Sequence, residues 1–409
     1  MHGAEDWGRS LRPLGEPAMR PGDGPWWDAL PEDFARRSER FELSGAQRLE
    51  VLGSAILDRA ICTASATALL ALFAPFARRR DLARQIDRFA FYAQDRFLRD
   101  PSSFFLDPAR VPVHRRTARV LYAPRRAMCE DIVFEGAFEP VNPATRSAYL
   151  GHADNRRSHA RHFFHADRPR PTVIALHGFW ASPYWANAFV FEVPWLYRIG
   201  LDVVLPTLPF HGARRMRGAL FSGHGFVSPH IDQTNEAVAH TVSDVRVLIR
   251  HLRERGVPEI GVTGVSLGGY LTALLASIEP SLAFAIPNVP VVSMVDLLMD
   301  WHPLAEVIRL ALRRQGKTVA WARRLLAVHH ALSYEPALPK ERLMVIAGAG
   351  DRMAPPSQAR LLWEHWQRPR AYYFPGNHLL HFDRGLYLRA MARFLARADV
   401  LPPKYRKAA

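Results

Sequence analysis

Cysteine is almost absent, with Cys62 and Cys129 the only two in 409 residues. Two thiols so far apart do not make a disulfide framework. Lysine is nearly as scarce: Lys317, Lys340, Lys404 and Lys407 stand against a basic total of 54. The formal charge of +15 invites a nucleic acid or an anionic surface. An arginine excess of this size is, however, what a GC-rich coding sequence produces, so the charge is read as background and no nucleic-acid partner is expected. Met1-His2-Gly3-Ala4-Glu5-Asp6-Trp7 has neither a basic nor an apolar stretch, so no signal peptide is expected and the expected residence is cytoplasmic.

Charge is also missing from Ala60 to Ala77, within the helical-looking stretch 31–100, and Arg78-Arg79-Arg80 follows. That run is marginal for a membrane span and is diluted by Ala, Thr, Ser and Pro75. A buried or dimer-facing helix is the expectation, with peripheral membrane contact through residues 60–80 as the alternative. Metal ligands do not cluster: His162/His165 and His378/His381 are i, i+3 pairs with no third and fourth ligand at metal-like spacing. Two nucleotide motifs fail. Gly316-Lys317-Thr318 has Ala311 where a phosphate loop needs its first glycine, and Gly348-Ala349-Gly350 has Met353 where a dinucleotide loop needs its third.

What the chain does have is Gly264-Val265-Ser266-Leu267-Gly268-Gly269. Ile260-Gly261-Val262-Thr263 before it reads as a buried strand, and Tyr270 to Ile278 after it reads as a buried helix. A glycine-flanked serine between strand and helix is the context of a nucleophile elbow. The turn is sharp and strained, and its neighbours leave no room for a Cβ two residues on either side of the serine. The following helix aims free N–H groups and its positive dipole end at the place where an oxyanion would form.

A serine needs a base, and the base needs an orienting acid. In a strand–elbow–helix topology both lie C-terminal to the serine, acid first. Leu343 to Ala347 reads as a buried strand running into a loop that carries Asp351. Ala371-Tyr372-Tyr373-Phe374 reads as another, followed by the turn Pro375-Gly376-Asn377 and then His378. Asp351 and His378 are therefore the candidate acid and base, with His381 as the rival base and Asp296 and Asp300 as rival acids. Thr172 to Leu176, a further buried strand, runs into His177-Gly178-Phe179. The backbone N–H of Phe179, with that of Leu267, is the candidate oxyanion hole. His177 is read as a structural histidine bonded to loop backbone.

His177-Gly178-Phe179, Pro209-Phe210-His211-Gly212, Gly264 to Gly268, the Asp351 loop and His378 together resemble the α/β-hydrolase superfamily. The likeness is greatest to its larger dienelactone-hydrolase and acetyl-esterase-like branch, where a Pro-x-His-Gly segment also follows the fourth strand. The resemblance covers roughly residues 125–400 and is specific to the fold more than to a substrate. It implies an α/β architecture with an eight-stranded, mostly parallel sheet and helices on both faces. It also implies a Ser-His-Asp triad and no metal or organic cofactor. One departure is Asn377, where a second glycine is common.

Two parts are expected: an N-terminal helical extension over 1–110, irregular in its first thirty residues, and an α/β-hydrolase domain over 111–409. Pro101, Pro108 and Pro112 mark the join. Arg119 to Tyr122, Asp131 to Phe134 and Ala160 to Phe164 read as strands leading into the sheet, and Thr234 to Arg255 as an amphipathic helix with Gly256 as its stop. Residues 288–335, rich in Leu, Val, Met and Trp, read as a lid-like insertion over the site. The expected activity is hydrolysis of a small-molecule carboxylic ester with an apolar acyl group, through an acyl-enzyme. Amide or peptide hydrolysis, acyl transfer, and a catalytically silent membrane-associated scaffold are the alternatives.

Overall fold

The computed structural model describes residues 10–14, 16–19, 24–73, 88–180, 183–228, 231–381 and 384–406. Arg78-Arg79-Arg80, the end of the uncharged run from residue 74 and part of the first thirty residues lie outside them. Two short strands, β1 (Pro13–Leu14) and β2 (Arg40–Phe41), pair with each other in the N-terminal part. Nine others build the main sheet. These are β3 (His114–Thr117), β4 (Met128–Glu135), β5 (Arg157–Phe164), β6 (Thr172–Leu176), β7 (Asp202–Pro206), β8 (Ile260–Val265), β9 (Ala285–Asn288), β10 (Met344–Gly348) and β11 (Arg370–Phe374). Their order is β11-β10-β9-β8-β6-β7-β5-β4-β3. Pairing is parallel from β7 to β11 and antiparallel among β3, β4, β5 and β7.

The central strands are buried on both faces, which is why they read as continuous apolar runs. Their side chains alternate with the pleat. On β6, Ile174 and Leu176 point into one core with the helices Ile231–Glu254 and Leu267–Ile278, while Val173 and Ala175 point into another with the helix Arg384–Arg397. On Ile231–Glu254 the predicted stripe of Val238, Val242, Val245, Ile249 and Leu252 is buried throughout.

Eight strands match the expected sheet, and the ninth is an edge. Arg119 to Tyr122 is not a strand; the pairing with β4 runs one segment earlier, at His114–Thr117. All four residues of β3 are exposed and none is apolar, so no hydrophobic alternation marks it. Val120 and Tyr122 pack against the core from a loop, and Leu121 is 96% exposed.

The strand order reverses between β6 and β8: the chain passes from β6 outward to β7, then returns to the far side of β6. Open sheets bind ligands at such a switch point, beyond the carboxyl ends of the strands. The N-terminal part covers one face of the sheet and shares its core, with Trp26, Leu30, Phe34, Val51 and Phe104 in the same cluster as Leu271 and Val345. Its dominant element is the helix Gly45–Phe73. By length and composition its span Gly45–Ala71 could cross a membrane, with 33% of the tested window buried. One face is buried (Val51, Ser54, Asp58, Cys62, Ala66, Leu69), and Leu49, Leu52, Ile56 and Leu57 on the other are exposed.

Candidate active site

Ser266 leaves β8 at φ 60, ψ −115, outside the regions that L-residues favour, and the helix Leu267–Ile278 begins at once. The turn is held by contact. A Cβ on Gly264 would lie 2.2 Å from the Gly268 carbonyl oxygen, and one on Gly268 would lie 1.8 Å from that of Leu176. Both positions accept only glycine. The Ser266 N–H donates to Asn288 O at 3.1 Å, which ties the elbow to the end of β9.

Asp351 and His378 leave neighbouring strands, β10 and β11, and meet. His378 Nδ1 lies 2.7 Å from Asp351 Oδ2, with both side chains buried. The other oxygen, Oδ1, accepts the N–H groups of Met353 at 2.9 Å and Ala354 at 2.7 Å, so the carboxylate cannot turn. With Nδ1 engaged, Nε2 is the ring nitrogen left to take a proton. His378 and Ser266 line one cavity, and no hydrogen bond joins them. Such contacts are commonly long before substrate binds and tighten in its complex. Burial pushes the imidazole pKa of His378 down, but the charge and hydrogen bond of Asp351 and the charge of Asp58 outweigh it, and the net shift is upward from about 6.5.

The rivals are placed elsewhere. His381 also lines the cavity, but its ring stands against Phe374 and Tyr387. Asp296 is paired with Arg323 at 2.6 Å, both fully buried, and Asp300 with Arg59 at 3.1 Å.

Phe179 and Leu267 line the cavity beside Ser266. Two buried histidines fix the peptide units around Phe179. His177 Nδ1 donates to the Gly178 carbonyl at 2.8 Å, and its Nε2 accepts the Leu208 N–H at 3.0 Å. His211, from the Pro-x-His-Gly segment, abuts the Phe179 carbonyl through Nε2 and the Pro209 carbonyl through Nδ1. Burial lowers the pKa of His177 to about 4. Burial, with His177 as neighbour, lowers that of His211 to about 3. Burial favours the neutral ring at both positions, and a neutral His211 donates to one of its two carbonyls. With the Gly178 carbonyl held on one side of its peptide, the Phe179 N–H must point to the other.

The cavity has a volume of about 590 Å³ and an apolar lining, to which Trp180, Phe189, Met294, Leu298 and Trp301 contribute. Only residues 291–301 of the segment 288–335 reach it. The later part packs into the core, where Leu326, Val328 and Leu332 are buried.

Sequence reasoning missed the contribution of the N-terminal helix. Asp58 Oδ2 accepts the N–H of Arg352 at 3.0 Å and that of His378 at 3.1 Å. Asn377 Nδ2 donates to the Ser54 carbonyl at 2.9 Å, and Cys62 Sγ lies 3.2 Å from the Arg352 carbonyl. A signal was available: Ser54, Asp58, Cys62 and Ser65 recur at helical spacing on the same face as the apolar Val51, Ala66 and Leu69, so a face that packs inward also had to meet polar partners. The departure at Asn377 belongs to the same contact. Among the described residues, no group of three or more His, Cys, Asp or Glu is placed to hold a metal ion.

The family model for alpha/beta hydrolase domain containing 18 matches residues 151–298, from the approach to β5 through the His177-Gly178-Phe179 loop and the turn at Ser266. The uncharacterized protein Rv2627c of Mycobacterium tuberculosis (strain ATCC 25618 / H37Rv) is 32% identical over 319 residues, which span 75% of this chain and 72% of that one. The acetyl xylan esterase from Paenibacillus sp. R4 matches in structure with a TM-score of 0.51 at 15% identity, covering 77% of this chain and 95% of its own. Acetyl xylan esterase 1 from Thermoanaerobacterium sp. JW/SL YS485 matches likewise, with a TM-score of 0.51 at 17% identity and coverages of 76% and 93%. The chain belongs to the α/β-hydrolase superfamily. At such identities the two esterases speak for the fold alone. In this α/β-hydrolase the N-terminal helix docks on the loops that carry Asp351 and His378.

Proposed function

We propose that this α/β-hydrolase is a serine esterase acting on carboxylic esters with an apolar acyl group. The observation that carries the reading is the buried Asp351–His378 pair lining, with the strained Ser266, one apolar cavity. Ser266 Oγ attacks the ester carbonyl carbon while His378 Nε2 takes the hydroxyl proton, and Asp351 stabilises the imidazolium. The amides of Phe179 and Leu267 receive the oxyanion. Collapse of the tetrahedral intermediate expels the alcohol, protonated by His378. A water activated by the same ring then attacks the acyl-enzyme and releases the acid and Ser266.

Hydrolysis of p-nitrophenyl esters from acetate to palmitate tests the substrate class. Medium and long acyl chains should be preferred, because the cavity offers them apolar surface. Leu298→Trp should shorten that preference by filling the cavity from its roof while acetate hydrolysis survives. An equal loss at every chain length would mark Leu298 as structural instead. Hydrolysis of anilides but not esters would shift the reading to amide cleavage.

The pH dependence follows from His378. Only the neutral ring accepts the serine proton, and its pKa is raised. The kcat/KM should therefore rise with pH along a single limb whose midpoint lies above about 6.5. His378→Ala should remove the limb together with the activity, whereas His381→Ala should leave both. The reverse pattern would transfer the base role to His381.

A further inference from the structure

We propose that Asp58 of the N-terminal helix is a positioning residue for the acid and the base, tying their two loops together through a single carboxylate oxygen. The inference rests on the reading of Ser266, Asp351 and His378 as the catalytic triad. Asp351 and His378 ride on loops beyond the last residues of β10 and β11, where the strand ladder no longer aligns them. Besides the Asp351–His378 bond itself, their backbone tie is the Gly350 N–H to the Gly376 carbonyl at 2.7 Å. Asp58 Oδ2 adds a bridge, accepting the N–H of the residue after the acid and the N–H of the base itself. The helix approaches closely to do so: a Cβ on Gly350 would lie 2.3 Å from Ser54 Oγ and 2.9 Å from the Val51 carbonyl oxygen.

This arrangement costs stability. Asp58 is fully buried and its Oδ1 has no hydrogen-bond partner. Burial, then the nearby charge of Asp351, push its pKa up against the two amide hydrogen bonds. A buried carboxylate beside another is a poor way to hold a helix onto a sheet, where an apolar side chain does better. Its use lies in what it bonds. It supplies an acceptor to two amides that must stay in register, and a second negative charge near the His378 imidazolium. The other charged or titratable groups facing this cluster are Arg352, Arg59, Asp300, Cys62 and His381.

Two variants test the role, with turnover counted per site by fluorophosphonate titration and KM measured alongside. Asp58→Ala leaves two buried N–H groups without an acceptor and frees both loops. Its per-site kcat should fall about ten- to a hundredfold with KM little changed, the scale expected when reacting groups are misplaced by about an ångström. Asp58→Asn keeps an acceptor oxygen for both amides and loses the charge. It should recover most of the lost kcat, hold or raise the melting temperature, and move the kcat/KM limb to lower pH.

Wild-type per-site kcat and an unmoved limb in both variants would overturn the proposal. So would equal loss in both variants with an unmoved limb, or activity loss explained entirely by fewer titratable sites. Should Asp58→Ala fail to fold, the limb and per-site kcat of Asp58→Asn decide alone. A wild-type enzyme that takes no label at Ser266 removes the triad reading and this proposal together. A labelled wild type with silent Asp58 variants removes this proposal only.

Discussion

Ser266→Ala should abolish fluorophosphonate labelling and lower ester turnover by about five to six orders of magnitude, with the fold intact. The size follows from cooperation: once the nucleophile is gone, the base and acid have no proton to move, so one substitution costs about as much as losing all three. The fold should survive because alanine keeps the Cβ at the same backbone turn. That turn is fixed by the clasp of Gly264 against Gly268 and of Gly268 against Leu176, not by the hydroxyl, which has no hydrogen bond among the described residues. An unchanged melting temperature together with lost labelling is the expected pair of results. An adduct that maps to another serine would move the nucleophile elsewhere.

The parts of this site legible in the sequence are those that local rules dictate. Gly264 is forced by a backbone contact within the turn itself, and Gly268 by the end of the neighbouring strand β6, but the glycine-flanked serine between strand and helix is a local pattern. Asp351 and His378 could be placed because each follows a short apolar run, and a strand buried on both faces announces itself that way. β3 was illegible for the opposite reason: His114-Arg115-Arg116-Thr117 lies on the outer edge and buries nothing. The Asp58 contacts were illegible in another sense. They join residues some three hundred positions apart, and only tertiary packing brings them together. The stripe of polar residues on the helix showed that some polar partner existed, but not which one. Asn377 shows the same limit, since an unusual residue in a loop gives no hint of the helix carbonyl it bonds. The insertion 288–335 was legible as apolar, yet its division into a cavity wall and a core segment was not. Apolar residues facing a ligand and apolar residues facing a sheet obey one periodicity.

Asp351→Asn should lower per-site kcat by about a thousand- to ten-thousandfold while leaving the protein folded. Asparagine is nearly isosteric, and its orientation is set by the backbone. The N–H groups of Met353 and Ala354 demand an acceptor at the Oδ1 position, so the amide oxygen must sit there and the NH2 must take the place of Oδ2. That NH2 then faces His378 Nδ1, at the position where Oδ2 now lies 2.7 Å away. Two donors cannot face each other, so the ring proton moves to Nε2, the nitrogen needed to accept from Ser266. The base is lost through its tautomer even though nothing has moved. The imidazolium also loses its counter-charge, which makes the remaining proton transfer harder. Melting temperature and circular dichroism should stay close to wild type, and fluorophosphonate labelling should slow in step with kcat. A loss of less than about tenfold, with Asp296→Asn or Asp300→Asn proving the damaging change, would reassign the acid to the helix Met294–Asp300.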